Sequence, residues 1–296
     1  MNTIPVVFTF DKRIILGGAV AIQSLVDCAN NDTSYDIYVY HPDIENKYIK
    51  EFEKIVENTN HKITFEYISK EKFKNLAINK NGSWTEIVYY RLLIPEILNY
   101  DKVIYSDVDV LFKKDLSEIY NTNIEDYEVG AIKAELNTKD TICHKYFEEN
   151  KNEHIYWSGF LLLNSKKLKK ENYFEKFMQT ARHYKDRLKF FDLDVLNITC
   201  NNIKELPMNY CVLEAIYEFN DYKTSKDYKY LSKIYTEKDF IDARTNPAII
   251  HYAGELGKPW RRKKAPQDYK EYMDKIPKKL KKYTFRDLRK RLFSKI

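Results

Sequence analysis

Short apolar runs alternate along the first part of the chain with longer stretches whose apolar residues recur at helical spacing. Runs rich in β-branched and aromatic residues at 6–10, 35–40 and 62–68 predict strands. Helical spacing over 19–28 and 45–57 predicts the helices between them. This alternation predicts an α/β fold with a mostly parallel open sheet and flanking helices, in which ligands bind beyond the carboxyl ends of the strands.

The rest of the chain is less regular. Pro95 should kink or restart the helix predicted over 84–98, and the polar, tyrosine-rich residues 215–246 are predicted as a long loop with short elements. The other predicted elements are strands at 103–105, 128–134, 156–163 and 248–250, and helices at 141–149, 171–187 and 192–198.

Length and cysteine usage favour a globular protein of enzyme size. At 296 residues the chain can bury one substantial core, and no apolar run has the length of a membrane span. The start carries no charged leader or cleavage site. The four cysteines lie far apart without C-x-x-C spacing, so neither a zinc site nor a disulfide framework is predicted. We therefore expect a protein of the reducing cytoplasm.

Positive charge is concentrated at the end of the chain. The net charge is +6, but residues 258–296 hold 16 Lys or Arg against 4 Asp or Glu, so this segment carries +12 and the rest −6. Within it, residues 278–293 interleave basic with apolar residues at near-helical spacing. We expect 263–296 to be a basic amphipathic tail, peripheral at the anionic inner face of the cytoplasmic membrane. The alternative is a solvated charge run without a partner.

Two acidic residues follow a predicted strand. Asp107 and Asp109 come after the apolar residues 103–105, and residues two apart on a strand project to the same face. Both carboxylates can then bind one cation. Taken alone the pair is a weak signal, because acids after a strand are frequent loop residues or helix caps.

A second stretch supplies the complementary chemistry. His251 follows the last predicted strand, and a nitrogen ligand beside two carboxylates favours Mn²⁺ over Mg²⁺. Gly254 and Gly257 leave backbone N–H groups open to a diphosphate, and Lys258 adds a positive charge before the stiff Pro259-Trp260. The alternatives are a strand-end histidine bonded to a backbone carbonyl and an ordinary turn that begins a basic tail.

In combination these motifs resemble glycosyltransferase family 8. The resemblance rests on Asp107-Val108-Asp109 and on an H-x-x-G-x-x-K-P-W pattern at 251–260, which here has one extra residue between Gly254 and Lys258. Residues 6–11, 90–92 and 156–164 add to it, and it covers residues 4–262. It implies a GT-A fold over 1–262 and a retaining galactosyl- or glucosyltransferase that uses a UDP-sugar and Mn²⁺, with Mg²⁺ as the second choice.

The resemblance also implies an acceptor and a role for each matched residue. The acceptor is a glycan or lipid-linked saccharide, since bacterial members build lipopolysaccharide or other surface glycans. The implied roles are uracil contacts for Thr9 and Asp11, the ribose neighbourhood for Arg13 or Ile14, ribose and metal for Asp107, the nucleotide site for Val108, metal for Asp109 and His251, diphosphate for Gly254 and Lys258, and the donor sugar for Arg91, Ser158, Gly159 and Asp192.

The candidate catalytic residues are Arg91, Asp192, Asp194 and Lys258. Retention of configuration can run through a covalent intermediate on a carboxylate or through front-face attack by the acceptor. In the family a glutamine often lies between the two acids, but here it is Leu193, and Trp157 stands where similar relatives often have asparagine. We predict front-face transfer, with the leaving phosphate accepting the acceptor's proton and Asp192 holding sugar hydroxyls.

Three alternatives stay open at this point. Within enzymes they are an inverting GT-A transferase and a metal-dependent sugar-nucleotide hydrolase. Outside enzymes, the basic tail with its aromatic residues is compatible with a nucleic-acid-binding protein. That alternative leaves Asp107, Asp109, His251 and the acidic body unexplained, so we expect no nucleic-acid partner.

Overall fold

The computed structural model describes residues 2–78, 84–254 and 256–293. Its strands are β1 Asn2–Thr9, β2 Thr33–His41, β3 Lys62–Tyr67, β4 Val103–Ser106, β5 Val110–Phe112, β6 Val129–Leu136, β7 His154–Leu163, β8 Ile203–Glu205, β9 Val212–Leu213 and β10 Ile249–His251. Its α-helices are α1 Ile15–Asp27, α2 Asn46–Val56, α3 Ile94–Ile97, α4 Ser117–Tyr120, α5 Ser165–Lys170, α6 Tyr173–His183, α7 Asp192–Thr199, α8 Glu214–Glu218, α9 Lys226–Leu231, α10 Glu237–Thr245, α11 Gln267–Lys275 and α12 Phe285–Phe293. Short 3-10 helices cover Lys70–Phe73, Glu86–Leu93, Met208–Tyr210, Tyr222–Thr224, Pro259–Arg261 and Lys278–Leu280.

Seven strands form one sheet in the order β3-β2-β1-β4-β7-β6-β8. Its strands run parallel except at β7, which pairs antiparallel with both β4 and β6. Three short strands form a second sheet in the order β5-β10-β9. The predicted α/β fold with a mostly parallel sheet is thereby confirmed.

The central strands are buried on both faces. Val6 and Phe8 of β1 point into a core cluster formed with α1, whereas Val7 points into a second cluster with Tyr40 and Tyr105 on the other face. This two-sided burial explains why β1 reads as a continuous β-favouring run. Strand β4 pairs parallel with β1, so the carboxyl ends of these two strands lie side by side.

Several predicted elements differ from the observed ones. The helix expected at 141–149 is wrong, because the Glu135 carboxylate accepts hydrogen bonds from the backbone N–H groups of residues 142–144 and holds them in a loop. The helix expected at 171–187 is shorter: it is α6, Tyr173–His183, which begins after Asn172, a left-handed residue with φ 54°. Residues 215–246 are more helical than expected, because α9, α10 and most of α8 fall within this range.

The basic segment at the end of the chain has two parts. In the first, Tyr269, Ile276 and Leu280 are buried in the core cluster that lies against α1. In the second, α12 leaves Phe285 and Leu292 at the surface, 84% and 72% exposed. The division of the chain at residue 262 stays a prediction. None of the described helices has the length and apolarity needed to cross a membrane.

Candidate active site

The two acids at 107 and 109 lie in the connection between β4 and β5, outside either strand. Strand β10 pairs antiparallel with β5, so that His251 lies opposite Val110, and the Tyr252 N–H donates to the Asp109 carbonyl at 2.8 Å. The second sheet thus carries His251 to the carboxyl end of β4. A strand was expected to aim the two acids together, but a bend between two strands does so.

Asp107, Asp109 and His251 offer three ligand atoms that all lie within 4.8 Å of one another. His251 Nε2 is 3.4 Å from an Asp109 oxygen and 3.8 Å from an Asp107 oxygen, and it is buried without a hydrogen-bond partner among the described residues. Its Nδ1 contacts Cys211 Sγ at 3.3 Å, which fixes the ring. A buried, unpartnered nitrogen beside two carboxylates fits a divalent cation.

A glycine makes room for this group of ligands. The Gly159 carbonyl on β7 accepts from the Asp107 N–H at 2.7 Å. A Cβ atom on Gly159 would lie 2.8 Å from the His251 ring and 2.9 Å from an Asp107 oxygen. Any side chain at this position would therefore collide with two of the three candidate ligands. This geometry places Gly159 against the candidate metal ligands.

Positive groups compensate the buried charge at Asp109. Lys258 Nζ forms an ion pair with the Asp109 carboxylate and lies 3.2 Å from the Tyr252 carbonyl. Although burial acts in the opposite direction, Lys258 and His251 hold the pKa of Asp109 well below its usual range. Burial alone would lower the pKa of His251, but Cys211 and Asp109 raise it overall.

Arg91 connects the candidate metal ligands with Asp192. Its guanidinium donates to the Ser158 carbonyl at 2.5 Å and to an Asp107 oxygen at 3.0 Å. Its Nε lies 3.2 Å from Asp192 Oδ2, and its charged group stacks over the Tyr105 ring at 4.3 Å. The Arg91 side chain is only 8% exposed, so it forms a buried centre of charge between two carboxylates.

The two acids at the start of α7 have different surroundings. Asp192 is buried beside Arg91, and burial raises its pKa to about 6 although Arg91 acts to lower it. Asp194 accepts hydrogen bonds from the N–H groups of Lys189 and Phe190 at 2.6 and 2.8 Å. Asp192 therefore belongs to the network around Arg91, whereas Asp194 holds the loop that precedes α7.

A cavity of about 220 Å³ adjoins these groups at the ends of β1 and β4. Nine of the predicted site residues line it: Thr9, Asp11, Arg13, Ile14, Arg91, Asp107, Val108, Asp109 and Lys258. The hydroxyl of the buried Tyr105 contacts two of these lining residues. It donates to an Asp107 oxygen at 2.7 Å and lies 3.2 Å from Thr9 Oγ1. The structure thus brings the predicted nucleotide residues and two candidate metal ligands to one pocket.

Four other predicted residues lie around or beyond this pocket. Ser158 and Asp192 adjoin it through Arg91, and His251 lies behind the two acids. Gly254 does not line it, and it adopts φ 97° with Asp227 packed against it. Glu255 of the same loop lies outside the described residues, and the diphosphate role of Gly254 stays a prediction.

Comparison with known proteins identifies the family. The sequence model described as "Glycosyl transferase family 8" matches residues 5–264. The chain belongs to glycosyl transferase family 8. Glycosyltransferase GlyA of Streptococcus pneumoniae is 27% identical over 82% of this chain, which spans only 30% of GlyA. Lipopolysaccharide 1,2-glucosyltransferase of Escherichia coli is 24% identical over 86% of this chain and 72% of that protein.

A solved structure of the galactosyltransferase LgtC, in complex with donor and acceptor sugar analogues, has the same architecture. The TM-score is 0.73 at 23% identity, over 93% of this chain and 98% of that one. This likeness confirms the predicted GT-A fold.

Outside the motifs, sequence reasoning missed six pocket residues of this chain. They are Trp84, Thr85, Ile87, Val88, Arg261 and Arg286. Arg261 directly follows the Pro259-Trp260 pair and so had a local signal. Arg286 lies in the basic tail, 25 residues beyond Arg261. Nothing in the sequence indicates that this part of the tail contacts the pocket.

The two departures from the family pattern meet in one aromatic cluster. Leu193 packs with Trp157 and Phe190, and the His144 ring lies 4.8 Å from Trp157 and 5.4 Å from Phe190. His144 is in turn bonded to the buried Glu135 at 3.1 Å. Apolar and aromatic groups therefore occupy the region where relatives often carry amide side chains.

Proposed function

We propose that this chain is a retaining glycosyltransferase that moves galactose or glucose from a UDP-sugar to a saccharide acceptor of a bacterial surface glycan. One observation carries the proposal. The three candidate metal ligands Asp107, Asp109 and His251 adjoin a pocket whose polar lining includes Thr9 and Asp11 at the end of β1. A nucleoside diphosphate fits this combination, since the base would meet the end of β1 and the phosphates would meet the cation site.

Asp107, Asp109 and His251 would hold the metal ion, for which the mixed oxygen and nitrogen ligands favour Mn²⁺. When bound, the ion would supply positive charge at the phosphate where negative charge develops as the sugar leaves. In the structure Lys258 forms an ion pair with Asp109. When a donor is bound, the flexible Lys258 side chain would turn to the leaving diphosphate. Gly254 would present its backbone to the same group.

The donor sugar would lie beside Arg91, Ser158 and Asp192. Arg91 holds Ser158 and Asp192 in place, so the Asp192 carboxylate is oriented to accept hydrogen bonds from sugar hydroxyls. Two backbone N–H groups bind Asp194 Oδ2 and hold this carboxylate against the loop before α7, which disfavours it as a nucleophile. We therefore propose front-face attack by the acceptor, whose proton passes to the leaving phosphate.

The activities for which relatives are named support a hexose donor. One is a lipopolysaccharide 1,2-glucosyltransferase and another is a lipopolysaccharide 1,3-galactosyltransferase, which favours glucose or galactose. The same names support a glycan acceptor. Because the chain spans less than a third of GlyA, the activity of the whole protein is part of this proposal.

The outward face of α12 supports attachment to a membrane. Phe285, Leu288 and Leu292 recur at helical spacing and are 84%, 49% and 72% exposed, while the polar Asp287 is the residue that is fully buried. The helix thus packs with a polar side and presents its apolar side outward. Together with the net charge of +12 over 258–296, this arrangement matches an anionic bilayer and supports a peripheral cytoplasmic enzyme.

A donor screen tests the proposal. The full chain is incubated with Mn²⁺ and each of UDP-galactose, UDP-glucose and UDP-N-acetylated sugars without acceptor, and UDP release is measured. We expect slow Mn²⁺-dependent hydrolysis of UDP-galactose or UDP-glucose that stops with a chelator. Absence of release from every UDP-sugar would contradict the proposal, and a β-linked product from an α-linked donor would favour an inverting enzyme.

A further inference from the structure

Helix α12 packs against the candidate donor pocket. The Asp287 side chain is 1% exposed and accepts from Arg261 Nε at 2.6 Å. Arg261 follows the Pro259-Trp260 pair, so this contact ties α12 to the same loop that carries Lys258. The tail expected to associate with a membrane is therefore also attached to the pocket.

The first turn of α12 is held in a fixed geometry. Thr284 Oγ1 accepts from the Asp287 N–H at 3.2 Å, and an Asp287 oxygen accepts from the Thr284 N–H at 2.8 Å. This reciprocal pair is a capping box. Since the second Asp287 oxygen binds Arg261, the residues between Thr284 and Asp287 are fixed both within the helix and against the loop.

Arg286 lies in this fixed turn and lines the pocket. The other four basic side chains of the lining all have carboxylate partners, with Arg13 bound to Asp11, Arg91 to Asp107, Lys258 to Asp109 and Arg261 to Asp287. Arg286 has no hydrogen bond or ion pair within 2–78, 84–254 and 256–293. Its guanidinium is therefore available to an anion that enters the pocket.

The surroundings of Arg286 are rich in positive charge. Burial and the charges of Arg261 and Arg286 lower the pKa of Lys290, one turn further along α12. Arg286 and Lys290 add positive charge at this end of the pocket, which favours an anionic ligand. A nucleoside diphosphate satisfies this condition, whereas a neutral sugar does not.

We infer that Arg286 binds the phosphate groups of the nucleotide donor, and that α12 forms one wall of the donor pocket. The inference rests on the proposed function, and it adds a binding residue from the C-terminal segment to the site. The Arg261–Asp287 ion pair acts as the positioning contact, since it sets where the first turn of α12 lies. The apolar face of the same helix is exposed, so it stays free for a membrane.

Calorimetric titration of the full chain with UDP at saturating Mn²⁺ and without lipid tests the inference. Arg286→Gln should weaken UDP binding about 5- to 30-fold, as expected for loss of a partly exposed charge-assisted contact. Arg286→Lys should recover much of the loss. Lys264→Gln is the control, because Lys264 is exposed, carries the same charge and does not line the pocket. This variant should bind UDP like the original chain.

Two further measurements separate phosphate binding from a general structural effect. Uridine binding, followed by ligand-observed NMR, should be the same in Arg286→Gln and the original chain. Asp287→Ala should also weaken UDP binding, and adding it to Arg286→Gln should cause little further loss.

Each outcome of these measurements is decisive. Unchanged UDP affinity in Arg286→Gln, or an equal loss of uridine and UDP binding, would overturn the inference. Failure of the original chain to bind UDP with Mn²⁺ would overturn the proposed function as well, which distinguishes the two results.

Discussion

Replacement of Arg91 by methionine should destabilise the protein in a way that depends on pH. The guanidinium of Arg91 donates to Ser158 and Asp107 and lies 3.2 Å from Asp192 Oδ2, with its side chain 8% exposed. Methionine fills much of the same volume but leaves both carboxylates without their cation. Removal of one partner of a buried ion pair costs about 3–5 kcal/mol.

The direction of the pH effect follows from Asp192. Burial raises its pKa to about 6, so between its unfolded value near 3.8 and this value the folded state binds more protons than the unfolded state. The free energy of unfolding therefore falls as the pH rises through this window. Without Arg91 the folded pKa of Asp192 rises further, so the fall continues above pH 6. The variant Arg91→Met should thus lose more unfolding free energy, relative to the original chain, at pH 8 than at pH 5.5. The difference is about 1.4 kcal/mol for each unit by which the pKa of Asp192 rises further.

Urea unfolding followed by circular dichroism at pH 5.5 and pH 8 measures both values. Arg182→Met is the matched control, because Arg182 pairs with Glu175 at 3.4 Å on the surface, with both side chains about half exposed. Its effect should stay within about 1 kcal/mol at both pH values. A loss below about 1 kcal/mol for Arg91→Met, or an equal loss at both pH values, would refute the assignment of Arg91 as a buried partner of two carboxylates.

Three further predictions concern neighbouring groups. Gly159→Ala should weaken Mn²⁺ binding by at least about 10-fold, measured by calorimetry with UDP, because the added methyl would collide with His251 and Asp107; unchanged affinity would contradict the site geometry. Burial acts to raise the pKa of Glu135, but His144 and backbone N–H groups lower it to about 2. The ionised Glu135 therefore stabilises the folded state above pH 4.5, and this contribution is lost as the pH falls through about 2. Urea unfolding should show Glu135→Gln less stable by up to about 3 kcal/mol at pH 6 and by little near pH 2.5, and a constant difference would argue against the contact. Asp194→Asn should lower stability by about 1–3 kcal/mol, and mass spectrometry with a slow donor should find no glycosyl-enzyme on Asp194 in the original chain.

The sheet could be predicted from sequence because each of its first strands is a distinct β-favouring run. Residues 6–10 are buried on both faces, and residues 35–40 alternate between buried and partly buried positions. Such burial selects the β-branched and aromatic residues by which the two strands were predicted. The helix expected at 141–149 failed for the opposite reason. One distant carboxylate, Glu135, accepts three backbone N–H groups there, and helical spacing contains no information about such a contact.

The candidate site was predictable where motifs carry it and not elsewhere. His251 lies 142 residues beyond Asp109 in sequence, yet the motifs and the family resemblance suggested that the two meet. Strand β10 was predicted at 248–250, but its partners β5 and β9 have only three and two residues, so the three-stranded sheet that they form was not predicted. The contact of α12 with the pocket was also hidden, because it depends on the buried Asp287 in an otherwise basic, exposed segment.

Binding of Mn²⁺ in the presence of UDP tests the central claim most directly. The signal of free Mn²⁺ in electron paramagnetic resonance is titrated against the full chain, with UDP alone as the reference, and circular dichroism confirms that each variant is folded. We predict one additional bound ion per chain, lost in both Asp109→Asn and His251→Ala. Binding no stronger than that of UDP alone, or the same stoichiometry and affinity in both variants, would contradict a metal site formed by Asp107, Asp109 and His251.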